Sequence, residues 1–127
     1  MISEFLAKKA RSFKYAFSGL RELWKKESNT RVHLFFTILV LAASFLFKVD
    51  TREFCILVFI IGAVWSAEAM NSAIERVVDL VTLDQRPLAK AAKDLAAGSV
   101  LILAIASVII GLVIFLPKIF ALFVPNL

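Results

Sequence analysis

The sequence holds a single cysteine, a single histidine, three prolines and four glycines in 127 residues. With Cys55 alone, no disulfide can form within the chain, and it reads as a small buried hydrophobe. His33 by itself furnishes no His-rich metal centre, and no Ser-His-Asp set is read around it. Also missing are G-x-x-x-x-G-K-S/T, G-x-G-x-x-G, H-R-D and D-F-G, which excludes the common nucleotide-binding and kinase folds. No Ser/Gly-rich linker, low-complexity tract or repeat divides the chain, so residues 1–127 read as one domain.

Charge is missing from three long runs. Residues 32–47, 54–67 and 95–117 contain no Asp, Glu, Lys or Arg. The hydrophobic fraction is 61%, against roughly 45–50% in soluble domains. The third run alone supplies the ~20 residues that a helix needs to cross hydrocarbon. The other two extend through flanking polar residues that snorkel or face a partner. The expectation is an all-α integral membrane protein with spans at about 30–48, 53–81 and 88–117. Gly62, Gly98 and Gly111 are candidates for close helix contact. The first thirty residues are densely charged and lack the apolar segment of a signal peptide, so no cleavable leader is expected.

Cations dominate the N-terminal part. Lys8, Lys9, Arg11, Lys14, Arg21, Lys25, Lys26 and Arg31 precede the first span, whereas "KVDTRE" is charge-balanced and the tail past Pro117 has only Lys118. By the positive-inside rule the N-terminus and the 80–94 region face the cytoplasm, and the 48–53 turn and the C-terminus lie outside. Within residues 4–27, Leu6, Ala10, Phe13, Phe17, Leu20 and Trp24 recur at three- and four-residue spacing among lysines and arginines. That pattern predicts an amphipathic helix lying in the membrane interface. Anionic lipid accounts for the net charge of +5, so no nucleic-acid partner is expected.

The stretch "EAMNSAIERVVDLV" carries the chemistry. Glu68, Asn71, Glu75 and Asp79 stand at i, i+3, i+7 and i+11, one helical face extending ~16 Å along the axis. A helix leaving the membrane accounts for Asp79, and adequately for Glu75. It accounts poorly for Glu68, about two turns deeper, where a carboxylate costs on the order of 2.5–3.5 kcal/mol at the bilayer centre. On the next helix, Lys90, Lys93 and Asp94 share a face at the cytoplasmic end. Lys90 is explained by snorkelling, whereas Lys93 offers a cation opposite the acidic row. Carboxylates beside a lysine suit Mg²⁺ and polyphosphate, because Mg²⁺ is held by one or two carboxylates plus substrate phosphates.

"EAMNSAIERVVDLV" followed by "PLAKAAKDLAAGSVL" resembles the signature of the small prokaryotic diacylglycerol kinase and undecaprenol kinase family. "FKYAFSGLRELWKKESNTRVHL" is similar to that family's amphipathic helix and first-span start. The resemblance runs from about residue 8 to Pro117, and E-x-x-N-S/T-A-I-E-x-x-V-D with A-K-D is highly specific. It implies a homotrimer with one interfacial helix and three transmembrane helices per subunit, in the bacterial cytoplasmic membrane. Its sites are shared between subunits, and it moves the γ-phosphate of ATP to a lipid hydroxyl with Mg²⁺. By the same resemblance Glu68 is the general base, Glu27 and Glu75 hold Mg²⁺ with ATP, and Asn71 reaches the transferring phosphate. Lys93 and Asp94 match the nucleotide-contacting pair, Asp79 an acid beside the nucleotide, and Tyr15, Asp84, Gln85 and Arg86 positions near the adenosine. The N-terminal ATP-contacting cation falls on Lys8 or Arg11, and Arg86 stands where the family often has His. Asn29, Arg31 and His33 line the lipid entrance together with Glu68, and "NTRVHL" resembles the undecaprenol kinase branch.

Two other classes compete with a lipid kinase. One is an oligomeric ion or proton pathway, which calls for acids spread across the membrane depth. Here they cluster at one end. The other is a non-catalytic membrane subunit.

Overall fold

Four helices account for nearly the whole chain: α1 (Ile2–Lys26), α2 (Ser28–Leu46), α3 (Thr51–Val81) and α4 (Pro87–Phe123). The computed structural model describes residues 1–26 and 28–123. At 1.5 Å per residue, α3 and α4 extend ~46 and ~55 Å, more than the ~30 Å of bilayer hydrocarbon. Both are long and apolar enough to cross a membrane, and only 22% and 11% of their most apolar windows are buried within the protomer. A core helix of a soluble protein hides most of its apolar surface, so these two carry the signature of helices solvated by lipid or by other copies. The apolar part of α2, Thr30–Leu46, is shorter. At ~26 Å it falls just under the bilayer core.

Local chemistry sets the helix ends. Lys48 adopts the left-handed conformation (φ 47°) that closes α2, and the N–H groups of Lys48 and Val49 donate to the carbonyls of Phe45 and Ser44. Asp50 then caps α3. Its Oδ1 accepts from the N–H groups of Arg52 and Glu53 at 2.7 and 2.9 Å, and Glu53 Oε2 accepts from the Asp50 N–H at 2.9 Å. The backbone N–H bond from Glu53, more than any other interaction, holds the Asp50 carboxyl below its ordinary 3.8. At the other end Thr82 closes α3, its hydroxyl accepts from the Asp84 N–H, and Pro87 opens α4 without a donor to leave unsatisfied.

α3 and α4 form an antiparallel hairpin, clasped at both ends by ion pairs. Lys93 meets Asp79 beside the turn and Lys118 meets Glu53 at the far end, 2.6 and 2.9 Å apart. Phe47 packs on Phe115, and the buried Leu57, Ile60 and Val64 of α3 supply half of the small core, with Leu23, Ala96 and Ile114. Within the apolar stretches, Ser44, Ser99 and Ser107 donate to carbonyls of their own helices, which satisfies those three hydroxyls without water.

Three features of the protomer bear on the expectations. α4 does not stop at Pro117 but continues to Phe123. The missing proline N–H costs one hydrogen bond, which a long membrane-type helix absorbs. Gly62, Gly98 and Gly111 make no close helix contact within the protomer, since an added Cβ would meet nothing within 4 Å. Cys55 lies on the exposed side of α3 rather than in the core.

Candidate active site

The lower half of α3 inverts the amphipathicity of a soluble helix. Glu68, Asn71 and Ser72 are buried, at 3%, 8% and 3% exposure, while Met70, Val77 and Leu80 face outward. Polar residues turn inward because hydrocarbon offers them no hydrogen bond. Two helices meet at the deepest of them. His33, the sole histidine, projects from the second turn of α2 and brings Nε2 to 2.6 Å from Glu68 Oε1. One turn further along the same interface, Trp65 Nε1 donates to Thr37 Oγ1 at 3.0 Å, and the Trp65 ring stacks on Trp24 of α1. Thr30, fully buried, donates its hydroxyl to the Leu23 carbonyl at 3.3 Å and ties α2 back to the end of α1.

Toward the turn, Asn71 Nδ2 donates to Glu75 Oε1 at 3.2 Å. Asn71 Oδ1 and Ser72 Oγ are enclosed yet have no hydrogen-bond partner among the described residues. A buried acceptor left bare costs on the order of 1–3 kcal/mol, so these atoms mark a place where a further group belongs. Beyond them opens a cleft of about 270 Å³ between the ends of α3 and α4, lined by Asp79, Thr82, Asp84, Lys90, Lys93 and Asp94 among others. Here Lys93 bonds Asp79 across the hairpin, Lys90 bonds Asp94 along α4, and Arg86 lies 3.7 Å from Asp84. Each cation in the cleft is already matched by an acid, so a polyanionic ligand must either displace a carboxylate or arrive with its own cation.

Of the remaining site candidates, Gln85 also lines the cleft. Lys8, Tyr15 and Arg31 are exposed on α1 and α2, and no hydrogen bond or ion pair joins them to α3 or α4 among the described residues. Gln85 and Arg86 are exposed in the turn. Asn29 falls in the first turn of α2, and Glu27 lies outside the described residues. No group of three His, Cys, Asp or Glu side chains converges as a metal site among the described residues. Glu75, with one oxygen bonded to Asn71, and the unpartnered Asn71 Oδ1 are nevertheless hard oxygen donors of the kind Mg²⁺ takes together with phosphate.

The pairing of His33 with Glu68 escapes a reading of either helix alone. The signal that finds it is the cost of a buried carboxylate, which demands a donor from a neighbouring helix, and His33 is the sole histidine the chain can supply.

Comparison with known proteins bears on this arrangement. Residues 14–115 match the family model described as prokaryotic diacylglycerol kinase. An undecaprenol kinase of Bacillus subtilis is 45% identical over 108 residues, which is 85% of this chain and 88% of that one. A diacylglycerol kinase of Synechocystis is 39% identical over 114 residues, 89% of this chain and 65% of its own length. A diacylglycerol kinase of Escherichia coli K12 is 33% identical over 95 residues, 75% of this chain and 78% of that one.

Proposed function

The chain belongs to the prokaryotic diacylglycerol kinase family, and on that premise we propose that it transfers the γ-phosphate of ATP to the hydroxyl of a membrane lipid alcohol. The observation that carries this reading is the inward polar row of α3. It leads from the buried carboxylate of Glu68 through Asn71 and Glu75 to the open cleft beside Lys93. Identity to a relative named undecaprenol kinase, 45% against 39% and 33% for two named diacylglycerol kinases, favours a polyprenol acceptor over diacylglycerol.

In this reading the cleft receives the nucleotide. Lys93, released from Asp79, meets the phosphates, Asp94 and Asp79 flank them, and Lys8, Tyr15, Asp84, Gln85 and Arg86 serve the adenosine end. Asn71 contacts the transferring phosphate. Glu75, with Glu27, would hold Mg²⁺, which when bound with ATP neutralises phosphate charge. Glu68 takes the proton of the lipid hydroxyl as that oxygen bonds to the γ-phosphorus, and the bond to the β-phosphate oxygen breaks with ADP departing. Phosphoryl transfer asks little beyond this positioning and charge neutralisation. Arg31, with Asn29, borders the path by which the lipid reaches Glu68, and His33 stands at its inner end against the Glu68 carboxylate.

A bacterial membrane location follows from the family and the two long apolar helices. We further read α2 as a third span, with a small bilayer mismatch at its ends, and α1 as interfacial. The cations of α1 and the α3–α4 turn then face the cytoplasm and its ATP. A homotrimer accounts for the unpartnered Asn71 Oδ1 and Ser72 Oγ, as a neighbouring copy brings further groups to the site. The test is phosphate transfer by the purified protein in lipid micelles with Mg²⁺-ATP, with undecaprenol and diacylglycerol compared. Phosphorylated undecaprenol in excess supports the reading. Ion flux through liposomes without ATP, and no phosphorylated lipid, refutes it.

A further inference from the structure

We propose that His33 is a positioning residue for the reaction, holding the Glu68 carboxylate in the orientation that accepts the proton of the lipid hydroxyl. The inference rests on the reading of Glu68 as the base and adds to it a residue from a different helix. Three observations converge on it. Nε2 of His33 lies 2.6 Å from Glu68 Oε1, and their side chains are 19% and 4% exposed, so the contact is largely shielded from water. Among the described residues this is the one hydrogen bond to the Glu68 carboxylate, and Oε2 makes none. The contact is backed by further packing: Thr37, one turn along α2, receives the Trp65 indole N–H from the adjacent turn of α3, and Trp24 stacks on that indole.

The chemistry follows from the arrangement. A glutamate side chain has three rotatable bonds, and a carboxylate tethered at neither oxygen samples many directions. Donation from His33 Nε2–H to Oε1 fixes the plane of the carboxylate, and the lone pairs of Oε2 are then aimed by the rotamer rather than by chance. The donor costs the base nothing in stoichiometry, since Oε1 continues to accept after Oε2 has taken the lipid's proton. His33 thus acts through Glu68 without touching the phosphate. Supporting a reacting group by a second side chain on a packed element is how active sites keep the sub-ångström tolerance that transfer chemistry needs. A misplacement of about 1 Å costs on the order of 10²-fold in rate.

The experiment compares His33→Leu, His33→Gln, Glu68→Gln and the Glu68→Gln/His33→Leu double variant in the purified, assembled enzyme. Each is assayed with Mg²⁺-ATP and undecaprenol in micelles, with thermal melting to establish folding. Gln places an amide N–H close to where imidazole Nε2–H stands, whereas Leu keeps bulk and removes the donor. We expect His33→Leu to lower kcat by about 10- to 100-fold with both KM values near wild type. His33→Gln should recover most of that loss, and the double variant should be no slower than Glu68→Gln alone, because residues acting as a unit are not additive. If the Leu variant fails to assemble, His33→Asn, whose amide is one methylene too short, carries the same comparison with Gln. Wild-type kcat in His33→Leu, a loss expressed as a raised lipid KM, or a Gln variant as impaired as Leu overturns the proposal. Full turnover in Glu68→Gln overturns the base assignment itself, whereas an inactive Glu68→Gln beside a fully active His33→Leu overturns only the role of His33.

Discussion

Lys93 of α4 and Asp79 of α3 are held 2.6 Å apart across the mouth of the α3–α4 cleft. The lysine is therefore neutralised before any ligand arrives, and binding of a polyphosphate exchanges one anionic partner for another. Both side chains are more than a third exposed, so the pair adds little to stability, of the order of 0.2–1 kcal/mol. Its importance is for the ligand.

Replacement of Lys93 by Met should accordingly weaken Mg²⁺-ATP binding at least tenfold, about 1.4 kcal/mol, with little change in melting temperature. Isothermal titration with a non-hydrolysable ATP analogue checks the affinity, and thermal melting in detergent checks the fold. Unchanged affinity removes Lys93 from the nucleotide site.

The far end of the hairpin behaves in the opposite sense. Glu53 Oε2 accepts the Asp50 N–H and forms an ion pair with Lys118 Nζ 2.9 Å away, so one carboxylate completes the α3 cap and fastens α4 to it. Glu53→Gln should shorten the half-life of thermal inactivation while kcat and both KM values stay near wild type. The loss is expected at about 1 kcal/mol, from a partly buried ion pair.

Asp50 gives the same cap a pH dependence. Its carboxyl is held below the ordinary 3.8 by the Glu53 backbone N–H first of all. A depressed folded value means the contribution is fully present above the ordinary carboxylate range and is lost as pH falls through the lowered value. Wild type should therefore lose its melting-temperature advantage over Asp50→Ala on acidification below about pH 4. A difference that persists undiminished to pH 2 contradicts this.

The interface of α1, α2 and α3 rests on Trp65. Trp65→Phe keeps a ring to stack on Trp24 but loses the bond to Thr37, and Thr37→Val loses the same bond from the other side. Each should cost about 0.5–1.5 kcal/mol, and the double variant should cost less than the two added together. Additive losses would show that the hydrogen bond contributes nothing.

How far the sequence reaches is clearest from these same residues. The acidic row of α3 is readable because Glu68, Asn71, Glu75 and Asp79 interrupt apolar sequence at helical spacing, and polar groups in such a helix must turn inward. The α3–α4 hairpin is readable from the polar turn and from Pro87, which suits a first helical turn. The rotation and stagger of α2 are not. Its apolar side chains surround the helix, with Phe35, Phe36, Ile38 and Leu39 all exposed, so no stripe marks which side meets α3. The contacts of His33 and Thr37 are settled by that stagger alone. The continuation of α4 past Pro117 was hidden for another reason: a proline is a strong stop in water and a weak one in a long apolar helix.

The most direct measurement is transfer of labelled γ-phosphate from Mg²⁺-ATP to undecaprenol and to diacylglycerol by purified wild type and Glu68→Gln, assembled alike. The account predicts phosphorylated lipid from wild type, and from the Glu68→Gln variant a turnover lower by about 10²- to 10⁴-fold, with ATP affinity unchanged. Turnover by Glu68→Gln within about threefold of wild type would contradict it, since that is far less than removal of a general base costs.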